Sequence, residues 1–178
     1  MHSKTLAALL TTIACQLLSA NLLAQTPRAS DEYEVKAAFL YNFAIYTEWP
    51  TVPPEAFDFC VLGRDPFDSH LNKISRKSVQ GKAIRIRYLK PLDDLAGCHL
   101  LFAPVQEKEL YFRIAPLIKQ QAILTVTDAP QLDEKWPMMM ITLVPKGELY
   151  TFDIDLTTAK AAGLTLSSKL LRLARNVK

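Results

Sequence analysis

Apolar residues recur with two different periods along this chain, and each change of period marks an element. In "EYEVKAAFLYNFAIYTEWP" Val35, Ala38, Phe39, Asn42 and Phe43 share one helical face, while Leu40, Tyr41 and Ile45 carry apolar character around the rest. A helix so apolar is buried on most sides or shows a second face to a partner. Ser30 is the expected cap, acids fill the first turn, and Pro50 is the expected stop. "FDFCVLG" (57–63) then reads as a short strand, and "RDPF" as a helix start with Asp65 capping and Pro66 in the first turn. "AIRIRYL" alternates Ile84, Ile86 and Tyr88 against Arg85 and Arg87, the pattern of a half-buried strand near a sheet edge.

"HLLFAPV" is apolar throughout, as a central strand should be. "EKELYFRIAPLIKQ" predicts a helix, and "AILTVTD" (122–128) another strand. Strand alternating with helix implies a parallel α/β sheet. The character changes near the end. "MMMITLVP" and "ELYTFDIDL" flank "KG", a hairpin signal. "TTAKAAGLTLSSKLLRLARNVK" predicts one closing helix with Leu166, Leu170, Leu173 and Val177 on its inner face. The expected fold is a single α/β domain, a mixed, mostly parallel sheet of about six strands with helices on both faces.

Residues 1–24 separate from this pattern. They hold Lys4, no acidic residue, and an apolar stretch from Leu6 to Leu18 ending in "SANLLA". That is the layout of a secretory signal cut after Ala24, and the apolar stretch is too short and mixed for a comfortable membrane span. A lipidated Cys15 in "TIAC" is the weaker alternative. The expectation is a signal peptide over 1–24 and an exported domain over 25–178. Removing Lys4 leaves 20 basic against 18 acidic residues, a balance that argues against nucleic acid.

Beyond the signal two cysteines remain, Cys60 and Cys98. An even pair in an exported chain favours a disulfide, and closing a loop of about 39 residues contributes roughly 4 kcal/mol in the chain-entropy model. Free buried thiols, a metal site and a Cys–His nucleophile are weaker alternatives. Only His70 and His99 accompany the cysteines, without metal-ligand spacing, and adjacent side chains of a strand at Cys98–His99 would point to opposite faces. If the sheet is wound with its first and third strands as neighbours, Cys60 and Cys98 lie close.

Other chemistry is sparse. "VLGRDPF" is a strand–loop–helix junction of the kind that can hold an anion, yet its single glycine falls short of both GxGxxG and the P-loop. Asp153 and Asp155 alternate along one strand and are expected to face solvent, Asp93 and Asp94 sit in a turn, and "SSK" lacks the SxxK spacing. "WPMMMI" reads as core strand with a buried tryptophan, or alternatively as a Met-rich contact surface. No enzyme motif, metal set or cofactor box emerges.

Five segments do resemble a known family. "EYEVKAAFLYNFAIYTEWP", "FCVLGRDPF", "GKAIRIRYL", "GCHLLF" and "FDIDLTTAKAAGLTLSSKLLRLARNV" are similar, in this order, to YfiR-like exported bacterial proteins. The resemblance implies an α/β sandwich with a cysteine pair at Cys60 and Cys98, and regulation without catalysis. The family's namesake represses an inner-membrane diguanylate cyclase through its periplasmic part, lowering cyclic-di-GMP and biofilm formation, and an outer-membrane lipoprotein sequesters it. Members tend to carry a glycine pair ahead of the fifth strand, where this chain has Trp136, Pro137 and Met138. Those three residues and Tyr41 on the first helix are the expected partner contacts, with a second copy of the chain as a further candidate partner. The competing expectation is an envelope ligand-binding or scaffolding domain serving another membrane sensor, such as a histidine kinase.

Overall fold

The computed structural model describes residues 29–51, 55–90, 93, 95–119, 121–129, 136–147 and 149–178. The expected signal segment, Cys15 included, lies outside the described residues. Helix α1 (Ala29–Ile45) leads into β1 (Thr47–Glu48) and β2 (Phe57–Leu62). Next come α2 (His70–Ser75), β3 (Ser78–Val79), β4 (Lys82–Leu89), β5 (Cys98–Ala103), a 3₁₀ turn (Val105–Glu107) and α3 (Lys108–Ile118). β6 (Leu124–Thr127) and the hairpin of β7 (Ile141–Lys146) and β8 (Leu149–Ile154) complete the sheet's centre. The chain closes with α4 (Leu156–Ala161), β9 (Thr165–Leu166), α5 (Ser168–Leu173) and β10 (Asn176–Val177).

The main sheet runs β10-β8-β7-β6-β5-β2-β4-β3. Strands β4, β2, β5, β6 and β7 pair in parallel, β7 and β8 antiparallel. β2 thus lies between β4 and β5, the first-beside-third winding on which the cysteine argument depended. The class is the expected one, but the sheet has eight strands rather than about six. The two extra edge strands, β3 and β10, are two residues each, too short to show a period of two.

Alternation along the strands feeds two cores. Phe57, Phe59 and Val61 of β2, with Leu100 and Phe102 of β5, join Leu40 and Phe43 of α1, Leu71 of α2 and Leu170 of α5 on one face. Cys60 and Leu62, with Leu101 and Ala103, join Leu110, Tyr111, Ala115 and Ile118 of α3 on the other. Helices therefore cover both faces. Every residue of β2 is buried, as a central parallel strand requires.

Four sequence expectations are corrected. The closing helix is two short ones. Asp155 caps α4 by accepting from Thr158 N–H at 2.8 Å, Gly163 turns the chain at φ +79, and Ser167 caps α5 through Leu170 N–H at 3.2 Å. Leu170 is buried but Leu173 and Val177 are exposed, so the predicted single apolar face does not exist. Asp65 caps no helix: its Oδ1 accepts from Phe67 N–H at 2.8 Å in a local turn, and α2 starts only at His70. Ser30 is already inside α1, which ends at Ile45, ahead of Pro50. Finally, β7 starts at Ile141 rather than in the methionine run, because the Met138 carbonyl and Met140 N–H both bond the side-chain hydroxyl of Thr125 on β6 instead of that strand's backbone.

Cys60 and Cys98 form a disulfide with Cα atoms 6.1 Å apart. It ties β2 to the start of β5 across a sequence separation of 38. We expect Cys60→Ser with Cys98→Ser to lower stability by about 2–4 kcal/mol, read from urea unfolding under oxidising conditions. A change within error would mean that the bond does not restrict the unfolded chain.

Candidate functional site

In an open α/β sheet, ligands bind beyond the carboxyl ends of the strands where the winding reverses. Here that point lies after β2 and β5, since the chain leaves β2 for β4 on one side and returns to β5 on the other. A crevice of about 330 Å³ opens there, lined by Tyr33 of α1, Arg64 and Pro66 of the loop after β2, and Pro104, Gln106 and Glu107 after β5. Gly63 takes φ +71, and a Cβ there would overlap the Glu107 carboxylate. The Arg64 N–H donates to Glu107 Oε1 at 3.1 Å. The stretch "VLGRDPF" thus starts no helix, the next one beginning at His70; its loop presents the Arg64 N–H, and the chain's own Glu107 carboxylate takes it.

Beside the crevice lies a buried ion-pair network that sequence reading missed. Lys36 Nζ sits 2.7 Å from Asp128 Oδ2 and 2.5 Å from Glu32 Oε1. Tyr150 donates to Glu32 at 2.7 Å, Val105 N–H donates to Asp128 at 2.9 Å, and the Tyr33 ring lies 4.5 Å from the ammonium. Burial alone would lower the Lys36 pKa, but Asp128 and then Glu32 outweigh it and hold the ammonium above its ordinary value. The network fastens α1 to the carboxyl end of β6.

At the opposite, amino end of β2, Asp58 is buried and accepts from Arg85 at 2.7 and 2.9 Å and from Arg87 at 3.2 Å. His99 stacks on Phe57 at 5.0 Å, and its Nδ1 accepts the Asp58 N–H at 3.0 Å, which requires the neutral imidazole. His99 is therefore a structural acceptor; Cys98, bound in the disulfide, is no thiolate nucleophile. Asp153, expected to face solvent, pairs with Arg175 at 2.9 Å and with Asn176 at 3.0 Å.

The expected partner contacts lie apart from one another. Tyr41 is half-buried on α1, with Lys77 Nζ 4.3 Å from its ring. Beside it Val35, Ala38, Asn42 and Ile45 are exposed, forming an outward, largely apolar stripe of helical spacing. Trp136 is only 2% exposed, its ring 5.1 Å from Tyr111 and 6.0 Å from Phe112. A partner meeting this loop would touch Pro137, which is exposed, and part of Met138. Among the described residues no group of His, Cys, Asp and Glu is arranged to hold a metal, and no helix is long and apolar enough to cross a membrane.

Two stability measurements test this geometry. Asp128→Ala leaves the buried Lys36 ammonium with Glu32 alone and should cost about 3 kcal/mol, whereas Lys36→Met with Asp128→Leu should recover most of it; equal losses in urea unfolding would deny the pair its role. Burial first, then Arg85, hold the His99 pKa below its ordinary value against the pull of Asp58. The unfolded chain therefore binds the proton more readily. The contribution is complete above about pH 6.5 and is lost as pH falls through the folded-state pKa. Unfolding at pH 7.5 and 5.0 should show that loss in the native protein and a smaller one in His99→Gln; equal slopes would contradict it.

No curated protein matches the chain. The model of the YfiR/HmsC-like family, DUF4154, matches residues 33–175, from the first turns of α1 to the approach of β10. Both cores, the disulfide and the crevice fall within that span, and the chain belongs to the YfiR/HmsC-like family.

Proposed function

We propose that the protein is a periplasmic regulator that binds the periplasmic part of an inner-membrane diguanylate cyclase and represses it, lowering cyclic-di-GMP and biofilm formation. Family membership over residues 33–175 carries this reading. The outward stripe of α1 supports it, because a helix fixed to the sheet by Lys36 and still apolar on its free side is suited to a protein partner. Repression then requires only that the regulator bind the cyclase's inactive state more tightly than its active state, and the shift cannot exceed that difference in affinity. An outer-membrane lipoprotein that sequesters the regulator would relieve repression by mass action. No catalytic step is part of this role.

The test is recovery of partners from detergent-solubilised inner membranes of the native host, with the oxidised protein as bait and mass spectrometry as readout. A diguanylate cyclase is the expected catch, and recovery of only another class of sensor would overturn the assignment. Val35→Asp with Ile45→Asp lies on exposed positions and should change stability by only about 0.5 kcal/mol per site. It should weaken cyclase binding by about tenfold, or 1.4 kcal/mol; unchanged affinity would remove α1 from the interface.

A further inference from the structure

The crevice holds chemistry that the regulatory reading leaves unused. Three features converge in it. The first is a backbone N–H, that of Arg64, open to close approach because residue 63 is glycine with φ +71. The second is the exposed Arg64 side chain, whose guanidinium has no hydrogen bond or ion pair among the described residues. The third is a set of apolar walls from Tyr33, Pro66 and Pro104 around about 330 Å³, within the size range of small-molecule sites.

We propose that this crevice binds a small organic carboxylate with a compact apolar body, whose carboxyl group takes the place that Glu107 holds at the Arg64 N–H. The occupant identifies the chemistry: the position already accommodates a carboxylate at hydrogen-bond distance. A free carboxylate there keeps that bond and adds the Arg64 guanidinium, whose fork suits two carboxyl oxygens. Phosphate fits less well, because phosphate cradles use several successive backbone N–H groups and Glu107 engages the one N–H of Arg64. The Lys36 ammonium belongs to Asp128 and Glu32 and takes no part. Glu107 is thus a tethered competitor, and it stands at the end of the 3₁₀ turn that enters α3. Displacing it removes the side-chain bond that joins this turn to the loop after β2. The site is independent of which protein partner the chain binds.

The test is an amide NMR titration of the purified, oxidised, ¹⁵N-labelled protein with benzoate and, separately, inorganic phosphate. Native protein, Glu107→Ala and Arg64→Ala are compared; both substituted side chains reach solvent, and the same spectra report whether the fold is kept. Benzoate should shift the Gly63 and Arg64 amides saturably. Glu107→Ala should bind it about tenfold tighter, the effect of removing one charged competitor for a hydrogen bond, and Arg64→Ala should bind it several-fold more weakly than the native protein. The proposal is overturned if benzoate leaves both amides unmoved in Glu107→Ala, if Arg64→Ala binds as tightly as the native protein, or if phosphate shifts them and benzoate does not.

Discussion

Everything in this molecule depends on the burial of β2 from both sides. Its six residues point alternately into two cores, so the strand is the shared wall between the layer of α1, α2 and α5 and the layer of α3. Such a strand has no face to give to polar residues, and the one it carries, Asp58, must be neutralised where it stands. Arg85 and Arg87 of the neighbouring strand do this, placed there by the register that sets Asp58 opposite Arg85 and Cys60 opposite Arg87. The separate pairing of β2 with β5, which sets Cys98 opposite Asp58, brings the disulfide together in the second core. Alignment of β2, β4 and β5 is therefore fixed three times over, by packing, by an ion-pair cluster and by a covalent bond.

Where patterns were local, the sequence was legible. The alternation of Ile84, Ile86 and Tyr88 identified β4, the apolar run identified β5, and export chemistry with an assumed winding placed Cys60 beside Cys98. What was not legible rested on pairings between distant segments. Lys36 gave no sign of its pairing, because its partner Asp128 lies 92 residues away. Glu107 carried no signal at all, since its meaning comes from Gly63 and Arg64 at the end of another strand. The closing segment failed for a different reason. Its leucine spacing suited a helix, but Asp155, Gly163 and Ser167 divide it at the level of backbone hydrogen bonds, and capping outweighed periodicity.

The two ends of the sheet divide the work. At the amino ends of β2 and β5, charges and His99 are consumed in internal bonds and offer little to a visitor. At the carboxyl ends, a buried ion-pair network fixes α1, while the loops around it leave a cleft lined by the Arg64 guanidinium, unengaged among the described residues. Tyr33 lines that cleft, and Val35 and Ile45 on the same helix face outward. One rigid element therefore borders both the crevice and the surface offered to a protein, so an event at either would be felt through a single helix.

The aromatic packing gives the chain an optical property. It has two tryptophans, and the sheet separates them. Trp49 lies in the core under α1, with its indole N–H directed at the His99 carbonyl 3.3 Å away. Trp136 lies in the core that contains the disulfide, beside Tyr111. Each layer thus carries its own fluorophore, and the emission of one can change while the other stays constant, distinguishing a rearrangement of α1 from one of α3 without any label.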